Sequence, residues 1–190
     1  VHAQIVTGAI QEVDIEYSGE ITNYDVAPIT ISLLKGLLKP ILNEDVNDIN
    51  APIIAKERGI RVVESKSSKI EDYATLITLK GKTASEKSCT AGTIFGRKDL
   101  RIVRVNKFTL DVIPEGHMLV LSNQDKPGVV GNIGTILGEN SINIARLHLS
   151  RELVDQQALV VLSTDSTVSE EILTKLRSLP HVIAVTYLEM

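Results

Sequence analysis

Apolar residues in the second half of the chain fall into two helical stripes and four short strand-like runs. Val129, Val130, Ile133, Ile136 and Leu137 follow the i, i+1, i+4, i+7, i+8 spacing of one helix face and predict a helix over 128–139. Pro127 and Gly128 mark its start, and Gly138 and Asn140 its end. Ile172, Leu173, Leu176 and Leu179 predict a second helix over 169–178, stopped by Pro180. Strands are expected at 117–124, 143–150, 157–163 and 182–188, with a polar turn from Glu152 to Asp155. The order βαββαβ is the ferredoxin-like arrangement. Two helices cover one face of a four-stranded sheet, so the other face or an edge needs another cover, and dimerisation is expected.

The first half is less regular. A strand near 11–17 precedes a helix near 26–39, whose stripe is Ile29, Leu33, Leu34, Leu37, Leu38 and Ile41. Asn50-Ala-Pro52 opens a short helix that Gly59 ends, at a position suited to a left-handed residue. Strands follow near 60–65, 73–80, 88–95, 100–105 and 108–113, with turns at Ser65 to Lys69, Gly81-Lys82, Gly96-Arg97 and Asn106-Lys107. Helices on an antiparallel sheet make this segment α+β. Pro114-Glu-Gly116 separates the two rhythms, giving expected domains 1–114 and 115–190.

Composition narrows the classes. The chain has 190 residues, 43% hydrophobic, with a net charge of −4, which argues against nucleic acid as the main partner. No apolar run approaches the roughly 20 residues of a membrane span. Cys89 is the only cysteine, so an internal disulfide is excluded and a cytoplasmic setting is expected. The chain starts at Val1 and not Met, which fits a processed start or a piece of a longer protein. His2, His117, His148 and His181 are scattered without metal-ligand spacing. Cys89, on a strand, reads as a core residue.

The chemistry concentrates between the first strand and first helix of the second half. Asp125 precedes a helix N-terminus, and Asn143 precedes the next strand. The pattern is expected to set a carboxylate, free backbone N–H groups at Gly128, Val129 and Val130, and a side-chain amide near one another. That suits a small zwitterion, with the ammonium on Asp125 and the carboxylate at the helix. The plainer reading of Asp125 is a helix cap, and of Asn143 a turn residue. Asn123 lies two residues before Asp125, on the same side of the strand.

Asp125-Lys-Pro-Gly128-Val, the helix, and Gly138-Glu-Asn-Ser-Ile-Asn143-Ile resemble an ACT domain, a regulatory amino-acid-binding module. The preceding segment resembles the allosteric-substrate-binding, or intervening, domain of long-form D-3-phosphoglycerate dehydrogenase. The matching stretches are Asn50-Ala-Pro-Ile-Ile-Ala-Lys-Glu-Arg-Gly59, Gly92-Thr-Ile-Phe-Gly96, Arg101-Ile-Val-Arg-Val-Asn106, and Asp111 through Gly116. The resemblance implies a C-terminal regulatory portion of that NAD-dependent oxidoreductase of serine biosynthesis. L-serine would be a feedback inhibitor bound at the ACT domain by Asn123, Asp125, Gly128, Val129, Val130 and Asn143, in a homo-oligomer and where two subunits meet. A bacterial L-serine dehydratase regulatory subunit and a stand-alone amino-acid sensor are the alternatives.

The resemblance places the catalytic residues and the nucleotide-binding turn outside this chain. The chain alone is therefore expected to lack activity and to bind no cofactor, with NAD belonging to the full-length enzyme. Gly128-Val-Val-Gly131-Asn-Ile-Gly134 lacks the paired glycines of a G-x-G-x-x-G turn and reads as close helix–sheet packing. Arg97, Lys98, Arg101, Arg104 and Lys107 form a basic run, read either as a solvated sheet face or, at Arg101, Arg104 and Lys107, as an anion site for a phosphorylated substrate. Thr109 and Ile113 stand where some members have His and Arg.

Overall fold

The computed structural model describes residues 2–5, 8–42, 45–68 and 72–190. It divides into two compact units, Val1–Asn106 and Lys107–Met190. The strand at 108–113 therefore groups with the second unit, whereas the sequence pattern set the join at Pro114.

In the first unit, α1 (His2–Ile5), β1 (Glu12–Gly19), α2 (Ala27–Leu38), α3 (Ala51–Glu57), β2 (Arg61–Ser67), β3 (Thr75–Lys82), β4 (Lys87–Phe95) and β5 (Asp99–Val105) follow in chain order. The strands lie in the order β2-β1-β3-β4-β5. β1, β3, β4 and β5 are antiparallel neighbours, as expected. β2 alone is parallel to β1, because the chain between them crosses over through α2 and α3. Strict alternation on β1 sends Val13, Ile15 and Tyr17 into a core with Val26, Leu37 and Leu79. The Tyr17 hydroxyl shares a 2.7 Å hydrogen bond with Thr30 on α2, and Thr30 donates to Glu64 on β2. Gly59 takes the left-handed conformation after α3, at φ 69°. The end of the expected turn at Lys69 lies outside the described residues.

In the second unit, β6 (Phe108–Val112) leads into β7 (His117–Gln124), α4 (Val129–Glu139), β8 (Ile144–Glu152), β9 (Gln157–Thr164), α5 (Glu170–Arg177) and β10 (Val182–Glu189). The last four strands form a sheet in the order β10-β7-β9-β8, antiparallel throughout the β10–β7, β7–β9 and β9–β8 pairs. Leu119, Leu121, Val160 and Leu162 face the helices and meet Val129, Ile133 and Leu137 of α4 and Leu173 and Leu176 of α5. Complete burial of a Leu of this kind contributes about 1.5–3 kcal/mol. β6 lies against β8 and β9, with Phe108, Leu110 and Val112 buried. The chain thus brings its own partial cover to the side the two helices leave open. Ion pairs Lys107–Asp155 and Arg146–Glu115 fasten the two ends of that segment.

Candidate functional site

β7 runs from His117 to Gln124 and delivers Asn123 and Asp125 to one end of the sheet. Asn123 follows Leu119 and Leu121 in the alternation, so it stands on the helix-covered face. It is 2% exposed, an unusual setting for a carboxamide. Its Nδ2 donates to the Gln124 carbonyl at 2.7 Å, while its Oδ1 is buried with no hydrogen-bond partner. A buried acceptor left unsatisfied costs about 1–3 kcal/mol, which makes Oδ1 a seat for a donor.

α4 begins beside this pair. Its N-cap is Gly128, at φ 91°, a conformation that L side chains rarely adopt. No side chain caps the helix; the Val129 N–H donates to the Lys126 carbonyl at 3.5 Å, and the rest of the first turn, Val130 included, carries the positive end of the helix dipole. Asp125 does not cap it either. Its backbone N–H donates to the Gln156 carbonyl at 2.8 Å, and its carboxylate accepts from Arg151 Nε at 2.7 Å. The side chain of Asp125 is 21% exposed and that of Arg151 57% exposed. With the arginine side largely in solvent, the pair by itself contributes about 0–1 kcal/mol.

Asn143 is elsewhere. Because α4 carries the chain back along the sheet, β8 starts at the opposite end: Ile144 pairs with Thr164, whereas Gln124 pairs with Gln157. Across an eight-residue strand, that separates Asn143 from Asp125 by roughly 25 Å. The expected cluster is therefore not formed within one chain. Asn123, Asp125, Gly128, Val129 and Val130 come together, and Asn143 is exposed, its N–H donating to Asp165 at 3.3 Å.

Arg151 was not among the residues singled out from the sequence. The signal is nevertheless present: it closes the strand before the β8–β9 turn, and that hairpin folds it back toward the end of β7. Asn123 and Arg151 both pair with Ala158 on β9, so the three stand in one row on one face. Gly131 and Gly134 differ from expectation, and Gly138 falls in the last turn of α4 as its end marker should. A Cβ added at any of them would meet nothing within 4 Å, so close packing against the sheet does not require them. Gly131 and Gly134 lie inside α4, which gives no Gly-rich turn for a dinucleotide pyrophosphate.

The basic run is dispersed. Arg101 lies 5.4 Å over the Phe95 ring and donates to the Leu100 carbonyl at 3.0 Å. Arg104 sits beside Cys89, whose thiol is pushed up by burial and pulled back by that guanidinium. Cys89 is half-buried. Lys107 belongs to the second unit, where it pairs with Asp155 and covers the Phe108 ring. On the open face of the first sheet, a hollow of about 450 Å³ is lined by Glu12, Asp14, Lys80, Lys82, Lys87 and Cys89, among others. Lys80 bridges Glu16 at 2.9 Å and Asp14 at 3.9 Å, and none of the predicted site residues lines the hollow. Among the described residues, no group of three or more His, Cys, Asp or Glu could hold a metal, and no helix is long and apolar enough to cross a membrane.

Comparison with known proteins agrees with this two-part layout. The family model of the D-3-phosphoglycerate dehydrogenase intervening domain matches residues 1–106, and that of the ACT domain matches residues 117–181. The chain is 34% identical over 185 residues to D-3-phosphoglycerate dehydrogenase of Archaeoglobus fulgidus, covering 96% of this chain and 35% of that protein. Identity is also 34% to the enzymes so named in Bacillus subtilis, over 188 residues, and Methanocaldococcus jannaschii, over 187 residues. These alignments cover 99% and 98% of this chain and 36% and 35% of those proteins. The chain thus spans about a third of the length of the curated relatives it matches.

Proposed function

The chain belongs to the D-3-phosphoglycerate dehydrogenase family, in the portion that joins the intervening domain to an ACT domain, and on that premise we propose that it is the serine sensor of such an enzyme. The whole protein would oxidise 3-phosphoglycerate with NAD in the cytoplasm, and L-serine bound at the ACT domain would inhibit it. The relatives described above carry the dehydrogenase name, which favours this reading over a serine dehydratase subunit. Among the described residues no helix opens on a dinucleotide turn, and the residues here are assigned to sensing.

The observation that carries the reading is the buried, unpartnered Oδ1 of Asn123 beside an uncapped helix N-terminus. A serine ammonium can donate to that oxygen and to Asp125, while its carboxylate meets the N–H groups that open α4. Isothermal titration of the chain with L-serine tests it. Saturable binding that weakens in Asn123→Leu is expected; no heat at millimolar serine would end the reading.

The site is completed by a second copy. β8 is an edge strand of the four-stranded sheet and exposes Leu147 by 42% and Leu149 by 45% on its helix side. Two-fold pairing of β8 with β8 is antiparallel, so it carries Asn143 of the second copy to the end where Asp125 stands. Gly131, Gly134 and Gly138 support the same geometry. Each costs α4 about 0.8–1 kcal/mol relative to Ala, and the space beside each is open to a neighbouring backbone.

A further inference from the structure

The Asp125–Arg151 ion pair has a consequence for what the site accepts. Asp125, the residue assigned to the effector's ammonium, is already occupied by a guanidinium at 2.7 Å. An amine that took Asp125 would leave Arg151 without its counter-ion. A simple carboxylic acid that took Arg151 would leave Asp125 without its own, and would meet that carboxylate as a like charge. Only a molecule carrying both charges a short distance apart leaves neither orphaned.

The backbone register sets the spacing of the groups that such a molecule would meet. Asn123, Ala158 and Arg151 form one row across three strands, with side chains on the same face. Neighbouring strands are ~4.8 Å apart, so the outer two residues stand on the order of 10 Å from each other. Between them Ala158 contributes only a methyl group, buried within the single chain. One wall of the row carries an acceptor with no donor, Asn123 Oδ1, and the other carries a donor-only cation.

Resting on the effector reading above, we infer that Arg151 is a specificity-determining residue of the site: a small α-amino acid enters between Asp125 and Arg151, exchanging one internal ion pair for two to the ligand. The ammonium takes Asp125 and Asn123 Oδ1. The carboxylate takes the freed guanidinium in addition to the α4 N–H groups. Arg151 thereby selects zwitterions over amines of the same size, and it keeps Asp125 neutralised while the site is empty.

The test compares L-serine with ethanolamine, which keeps the ammonium and hydroxyl and lacks the carboxylate, on the chain and its Arg151→Gln and Arg151→Lys variants by calorimetry. Serine should bind Arg151→Gln at least tenfold more weakly, corresponding to about 1.4 kcal/mol, with Arg151→Lys recovering part of the loss. Ethanolamine should bind Arg151→Gln no worse than the unaltered chain, because the competitor for Asp125 is gone. Serine affinity unchanged or raised in Arg151→Gln overturns the inference and leaves the effector reading standing. A parallel loss of both ligands also overturns it, since that marks a structural role. Absence of serine binding to the unaltered chain removes the effector reading itself, and this inference with it.

Discussion

The end of β7 and the strand β5 both gather charge and polar groups, yet they differ in what surrounds them. At the end of β7 a carboxamide is 2% exposed with an empty acceptor, and a carboxylate is held by a single guanidinium. On β5, Arg101 lies on an aromatic ring and Arg104 beside a thiol, with Phe95 itself stacked on Tyr73 at 6.2 Å. The density of charge is higher along β5. The unfilled valence is at β7. Desolvation gives a polar group its free energy of interaction, so the buried, unsatisfied atom points to a ligand more strongly than a run of solvated cations does.

Sharing the β7 site between two chains makes the largest difference to expect. Asp125→Ala and Asn143→Ala should each weaken serine binding tenfold to a hundredfold, since a charged hydrogen bond contributes about 1.5–3 kcal/mol. Mixing the two variants should restore a tight class of sites that neither shows alone, because one site of the mixed dimer has both residues intact. If mixing restores nothing, Asn143 does not serve a neighbouring chain.

The two units should also part company in acid. His2 in the first unit is buried against Thr90, at 2.9 Å, and Ser88, at 3.1 Å. Burial lowers its pKa from 6.5 to about 4. The folded state thus favours neutral imidazole, and the unfolded state binds the proton first. Its contribution is complete above pH 6.5 and is lost as pH falls from 6.5 toward 4, a loss on the order of 3 kcal/mol. Hydrogen exchange should show the α1 and β4 amides losing protection over that window, and a His2→Gln variant should flatten the change.

A smaller effect tests the glycine stripe. Gly134→Ala has open space around its Cβ and should stabilise α4 by at most about 1 kcal/mol in a dilute, monomeric sample. The same change should weaken self-association in sedimentation measurements. Stabilisation with unaltered association would separate the stripe from the interface.

The contrast between the two regions also explains what the sequence made legible. Hydrophobic spacing placed α4 and α5 and all four strands of the second sheet, because each element buries one face and the period records it. The parallel direction of β2 left no such record, since the strand alternates the same way whichever direction it runs. Asp125 and Asn143 were recognised as polar residues at element ends, but the local pattern did not bring out which end of the sheet each occupies. The helix between them carries the chain back, and that decides it. Arg151 has no local marker of its role, because its partner is far away in the chain and is reached only through the β8–β9 hairpin. The glycines of α4 were read against the sheet, while the space beside them is open.

The central claim is that the acceptor end of β7, and not the basic strand β5, receives the amino acid. The most direct measurement is a calorimetric titration of L-serine into the Asp125→Ala and Arg101→Ala chains, with circular dichroism confirming that both are folded. Binding should weaken tenfold to a hundredfold in Asp125→Ala and stay nearly unchanged in Arg101→Ala. Serine binding kept in Asp125→Ala and lost in Arg101→Ala would contradict it.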